Sequence, residues 1–275
     1  MYEQYWELKH PPFANDAAPE FFYRSQSHHA TLLKLQYLVE HGLGAGLLVG
    51  GVGYGKTYLA HLLAEELAEK TGPFVHLVYP QLSADELMAY LAAELGGDPV
   101  AAHTGEHRLD CVIRQIEDRL SRLTALGRQP VIVIDEAHLI EQPRTFSAIQ
   151  LLLNFCQPPK VSFSLILIGD QELVPRVQRL RSLDERMGIK CVLQPFTQQE
   201  TSAYVAHRLK VAGGTRNIFD ASALDALFEM SAGVPRRLNR LCDLALLVGY
   251  ADQLSHVSAN EIEAVAKELT IEAAA

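Results

Sequence analysis

A chain of 275 residues has room for one large domain or two modest ones. Hydrophobic residues make up 48% and charged residues 21%, the balance of a globular protein rather than a disordered one. The formal net charge of -9 weighs against a globally basic nucleic-acid binder and leaves only a local basic surface open.

The N-terminal stretch MYEQYWELKHPPF carries acids, aromatics and prolines where a signal peptide needs a basic start and an apolar core. No run reaches the ~20 apolar residues of a membrane span. Cys111, Cys156, Cys191 and Cys242 are widely spaced and form no C-x-x-C pair, so neither a zinc site nor a redox motif is signalled. Reduced thiols and a cytoplasmic location are the expectation.

In chain order, Tyr5, Trp6, Phe13, Phe21, Phe22 and Tyr23 cluster around Pro11 and Pro12. They suit an arm packed on a larger body; a second role, with Pro12 and Phe13 walling off a nucleotide base, is compatible with the first. A helical pattern follows near 28–41. The apolar runs GAGLLVGG, FVHLVYP, VIVIDEAH and SFSLILIGD lack alternation, as strands buried on both faces do. Helical patterns over 56–70, 83–95, 107–126 and 145–156 lie between them. Strands alternating with helices imply parallel pairing and an α/β layered fold.

From Thr197 onward no strand is expected. TQQE, at Thr197 to Glu200, is a capping box, and SANE, at Ser258 to Glu261, repeats it before a last helix. Helical periodicity over 220–231 and 235–250 completes a small all-helical domain. A boundary near Pro195 divides the chain into 1–195, an α/β domain with the aromatic arm, and 196–275, a helical domain.

GGVGYGKT, at Gly50 to Thr57, satisfies G-x-x-x-x-G-K-[ST] between a strand and a helix. The glycines let backbone amides curl around phosphate oxygens, Lys56 supplies charge to the β and γ phosphates, and Thr57 offers a hydroxyl to magnesium. The expected nucleotide-contacting run is Gly50, Gly51, Val52, Gly53, Tyr54, Gly55, Lys56, Thr57 and Tyr58. Asp135, at the end of VIVID, can hold the magnesium, and Glu136 can orient or deprotonate an attacking water. Two acids in sequence mark a hydrolase rather than a kinase, which must keep water out.

Hydrolysis of this kind often uses a cation against the charge spreading over the phosphoryl group. RVQRLRSLDERMGIK and GVPRRLNR are the arginine-rich stretches that can supply it. Pro235 at the first turn of a helix puts Arg236 and Arg237 at an end unfavourable to cations unless an anion waits there. The eleven histidines show no metal-ligand spacing, and structural or surface roles are expected for them, His138 included.

With these residues assembled, the chain resembles the AAA+ ATPases, and among them the ExeA/GspA-type secretion and assembly ATPases. The likeness runs through MYEQYWELKHPPF, FFYRSQSHHATLLKLQY, the phosphate loop, DEAHLI, LLLNF, LIGDQEL, PFTQQETSAYVAHRL and GVPRRLN. It implies a P-loop three-layer αβα core with a helical lid, ATP and Mg2+ as cofactors, and assembly into a homo-oligomer. It also implies residue roles: phosphate and magnesium binding by Lys56 and Thr57, metal holding by Asp135, water activation by Glu136. Arg236 would be the second sensor coupling the lid to nucleotide. Arg186 would be the arginine finger reaching a neighbouring subunit, with Arg176, Arg179 and Arg181 as rivals.

Asp170 stands at the nucleotide-facing first-sensor position, where similar proteins carry Gly-Gln-Pro-Glu-Leu and this chain has Gly169-Asp170-Gln171-Glu172-Leu173. An acid there would repel a γ-phosphate, so contact with water or an arginine is expected instead. Longer family members continue into a membrane span and a peptidoglycan-binding region, and neither property is carried over. The resemblance implies an ATPase that assembles or remodels a protein partner, membrane-bound or not, in secretion or pilus biogenesis. The alternative is a DNA-associated regulator of the TniB and TnsC transposition type that polymerises with ATP; a scaffold with little turnover is a third reading.

Overall fold

The computed structural model describes residues 1–14, 18–96, 109–157 and 160–272, with side chains through Leu269. Contacts divide the chain into two units: Ser27–Val52 with Lys56–Leu193, and Met1–Gln26 with Gly53–Gly55 and Gln194–Ala275.

The first unit is α/β. Its elements are α1 (Gln26–Glu40), β1 (Ala45–Val49), α2 (Lys56–Glu66), β2 (Thr71–Leu77), α3 (Ala84–Glu94), α4 (Leu109–Ala125), β3 (Gln129–Ile134), α5 (Pro143–Leu152), β4 (Ser164–Gly169), α6 (Leu173–Arg179), α7 (Arg181–Asp184) and β5 (Met187–Val192). The start of the helix expected from 107 lies outside the described residues. The strands form one parallel sheet in the order β2-β3-β4-β1-β5.

Every residue of β1 and β4 is buried, and every residue of β3 but the first. Alternation splits them between two faces. Leu47, Val49, Val75, Ile132, Ile134, Leu165 and Leu167 join a core with Leu91, Ile116, Ile149 and Val177 of α3 to α6. On the other face Gly46 lets Leu38 of α1 approach, since an added Cβ would sit 3.1 Å from its methyl. Continuous apolar strands are what a sheet covered by helices on both faces requires.

β5 is the strand that sequence reading did not separate from the arginine-rich stretch. It is an edge strand in which Met187 and Cys191 are buried while Gly188, Lys190 and Val192 are exposed. Its signal is a short alternation beside six charged residues, not an apolar run.

The second unit is helical: α8 (Gln198–Val211), α9 (Ala221–Ser231), α10 (Pro235–Ala251) and α11 (Ala259–Glu272). Thr197 and Glu200 form the expected reciprocal cap of α8. The aromatic arm belongs here by its contacts and not, as expected, to the α/β domain 1–195. Trp6 is fully buried and its indole N–H donates to the Leu246 carbonyl at 2.9 Å. Gly249 in mid-α10 makes this approach possible, because a Cβ there would meet the Trp6 ring at 2.8 Å. The Arg208 guanidinium, buried in α8, donates to the carbonyls of Pro12 and Ala14. Phe13 packs edge-on against Phe219, its ring in the apolar core of this unit.

Candidate functional site

In the α/β unit β1 leads across the sheet to β2, while the chain from β4 returns to β5 on the other side of β1. Connections leaving neighbouring strands in opposite directions open a crevice at the carboxyl ends, the usual ligand site of such sheets. Because β3, β4 and β1 are consecutive neighbours, with Ile134 level with Leu167 and Val49 with Gly169, the residues after them meet at one edge. Those residues are Gly50, Asp135, Glu136 and Asp170.

The Gly50 N–H donates to the Gly169 carbonyl at 3.2 Å, which pins the loop's entry to β4. Gly53 and Gly55 have φ of +81° and +89°, a region side chains rarely adopt, so the loop's path depends on those two glycines. Lys56 opens α2 and is 5% exposed. Its ammonium donates to the carbonyls of Gly50 at 2.9 Å and Gly51 at 3.1 Å. Among the described residues no carboxylate pairs with it, so a buried charge rests on neutral dipoles and favours an anion. The Thr57 hydroxyl donates to Asp135 Oδ2 at 2.7 Å. Val52 is exposed, and Gly51, Tyr54 and Tyr58 are half-buried.

Asp135 is 1% exposed. Burial alone would raise its pKa, but His76, Thr57 and the Glu136 N–H, which donates to Oδ1 at 2.8 Å, outweigh it and hold the carboxyl below its ordinary value. His76 Nε2 stands 3.4 Å from Asp135 Oδ2 without hydrogen-bond geometry. A buried carboxylate kept ionised beside a threonine hydroxyl is an oxygen donor set suited to a hard divalent cation such as Mg2+.

Glu136 adopts φ 48° and ψ 34°, a left-handed conformation that is unusual for a residue with a side chain. Its carboxylate is 40% exposed. The next residues, Ala137–Leu139, form one 3-10 turn that carries His138. His138 Nδ1 lies 3.3 Å from Glu136 Oε2, and Nε2 lies 3.3 Å from Asp170 Oδ2. Asp170 thus meets a histidine, and among the described residues no arginine pairs with it.

Arg186 is exposed and directly precedes β5, whose first residue pairs with Ala45 at the start of β1. It stands at the amino edge of the sheet, about five residues or ~17 Å of strand from the loop, so it cannot serve its own unit's loop. Among its rivals Arg176 donates to the Ile140 carbonyl at 2.9 Å and Arg181 pairs with Glu185. Arg179 and Arg186 are exposed and, among the described residues, make no side-chain ion pair. In the helical unit Arg236 is exposed at the start of α10, and its N–H donates to the Gly53 carbonyl at 3.2 Å. A Cβ on Gly53 would lie 2.9 Å from that of Arg236.

A family described as an AAA domain matches residues 39–177, half of the chain and the whole arrangement of loop, acid pair and Asp170. The chain belongs to this AAA family, whose members bind and hydrolyse ATP. It is 32% identical over 273 residues to the "General secretion pathway protein A" of Aeromonas hydrophila, covering 98% of this chain and 49% of that one, so it spans about half that relative's length. The fold is similar to the ORC2 protein of Aeropyrum pernix in its ADPNP-ADP complexes, with a TM-score of 0.68, 16% identity, and 94% of this chain and 71% of that one covered. It is also similar to Cdc6p of Pyrobaculum aerophilum, with a TM-score of 0.72, 16% identity and coverage of 94% and 70%. Among the described residues no helix is long and apolar enough to cross a membrane.

Proposed function

We propose that the chain binds ATP with Mg2+ on the Gly50–Thr57 loop, hydrolyses it with Glu136 as general base, and uses the cycle within a homo-oligomer to assemble or remodel a protein partner. The observation that carries this reading is the buried Lys56 ammonium, paired with no carboxylate among the described residues, beside the Thr57–Asp135 hydrogen bond. Lys56 meets the phosphate charge, and Thr57 and Asp135 would hold the metal. Mg2+ when bound neutralises charge on the phosphate oxygens. Glu136, half-exposed at the strand end, takes the proton of the attacking water.

Arg186 completes the site of a neighbouring copy, and Arg236 couples the nucleotide's state to the helical domain through the loop it touches at Gly53. The name of the Aeromonas relative supports a partner in protein secretion. Four free thiols support a reducing, ATP-supplied compartment, the cytoplasm.

Mixing two variants tests the shared site. Arg186→Ala keeps its own base and Glu136→Gln keeps its own arginine, so each is expected to be inactive alone while the mixture regains part of the wild-type turnover. A mixture as inactive as its components, with both variants still binding nucleotide, would refute the contribution of Arg186 in trans.

A further inference from the structure

We propose that His138 is a positioning residue that ties the Glu136 carboxylate to Asp170, so that the residue at the first-sensor position acts on the general base instead of on a phosphate. The inference rests on the reading of Glu136 as that base.

Three carboxylates, Asp135, Glu136 and Asp170, follow neighbouring strands and face the edge where a polyphosphate is expected. His138 is the basic group between two of them. Its ring is mostly buried, with Nδ1 3.3 Å from Glu136 Oε2 and Nε2 3.3 Å from Asp170 Oδ2. The Asp170 N–H also points at Nδ1, at 3.4 Å. An imidazolium, with both protons, forms ion pairs with both carboxylates. With one proton on Nε2 it still holds Asp170 and accepts the Asp170 N–H at Nδ1. The tie to Glu136 is therefore made by the doubly protonated ring, whereas the contact with Asp170 is made in either form.

Asp170 is itself anchored, because its Oδ1 accepts the Glu172 N–H at 2.9 Å and leaves Oδ2 for His138. The seat of the ring is built into β4: a Cβ on Gly169 would lie 3.2 Å from His138 Nδ1, 3.3 Å from its backbone N and 2.9 Å from a Leu173 methyl. On the other side, the Leu139 N–H donates to the Glu136 carbonyl at 2.8 Å and closes the turn that aims His138. The left-handed backbone of Glu136 is held between this bond and its own N–H bond to Asp135. Strain kept at a reacting residue is a frequent mark of pre-organisation.

The test is steady-state ATP hydrolysis by wild type, His138→Ala, His138→Gln, Asp170→Asn and the double variant His138→Ala/Asp170→Asn, with affinity for a fluorescent ADP and thermal unfolding measured in parallel. A positioned base contributes roughly 10²–10⁴-fold, and loss of its orienting partner is expected to remove about tenfold of that from kcat. KM and ADP affinity are expected to stay within about twofold. Gln at 138 is expected to restore part of the rate because its amide still donates. The double variant should be no slower than His138→Ala alone, since both changes cut one linkage.

Wild-type kcat in His138→Ala and Asp170→Asn overturns the proposal, as do losses that multiply in the double variant. Loss of affinity in step with kcat, or of kcat only in step with thermal stability, overturns it in favour of a structural role. Glu136→Gln separates the two readings. If it hydrolyses ATP near the wild-type rate, the assignment of the base fails; if it is inactive while the His138 and Asp170 variants are unaffected, only the linkage fails.

Discussion

Lys56 is a buried ammonium whose hydrogen bonds go to neutral carbonyls, so its ligand and its stability are linked. Nucleotide at a hundred times its Kd stabilises the native protein by about 2.7 kcal/mol. Lys56→Ala is expected to fold and to show none of that gain when thermal unfolding is followed with and without Mg-ATP; a full gain would remove Lys56 from the phosphate site. The thiols give a second test. Burial pushes Cys242 well above the ordinary thiol range and raises Cys191 as well, whereas Cys111 is exposed. A thiol reagent is expected to modify Cys111 first and to reach Cys191 and Cys242 only on unfolding, read by peptide mass; early labelling of Cys242 would contradict its burial. Lys56, Thr57, Asp135 and Glu136 were legible in the sequence because phosphate and metal chemistry demands those residue types in two short contiguous motifs. The His138–Asp170 link was not, since the two are 32 positions apart and meet only through the pairing of β3 with β4.

At the level of elements, the turn between α9 and α10 is the most constrained piece of the helical unit. Ala232 and Gly233 are both left-handed, and a Cβ on Gly233 would fall 2.0 Å from the Phe196 carbonyl oxygen. Gly233→Ala therefore forces the backbone apart and is expected to cost about 3 kcal/mol in urea denaturation. A loss under about 1 kcal/mol would mean that the turn yields. Asp220 caps α9 by accepting the Ala223 N–H at 2.8 Å, which with Ser222 holds its carboxyl below the ordinary value. Asp220→Ala is expected to cost about 1 kcal/mol at neutral pH. The native carboxyl titrates below the unfolded value of about 3.9, so the charged cap's contribution is complete above that pH. The gap between wild type and variant is expected to narrow as the pH falls through the native pKa; a gap independent of pH would show that the charge contributes nothing. β1, β3 and β4 were legible because strands buried on both faces must be apolar throughout. β5 was not, because an edge strand with one exposed face needs apolar residues only at alternate positions.

For the whole molecule, the family match and the geometry at the carboxyl edge of the sheet converge on one activity, ATP hydrolysis. The proposed assembly of copies and the secretion-related partner depend on that activity and extend beyond it. The most direct measurement is phosphate release in a single turnover of bound ATP, with ATP affinity measured alongside, for wild type and Glu136→Gln. Affinity is expected to stay within about twofold and release to slow by roughly 10²–10⁴-fold, the contribution of a positioned general base. Release in Glu136→Gln within a few-fold of wild type would contradict it and place the activation of water elsewhere.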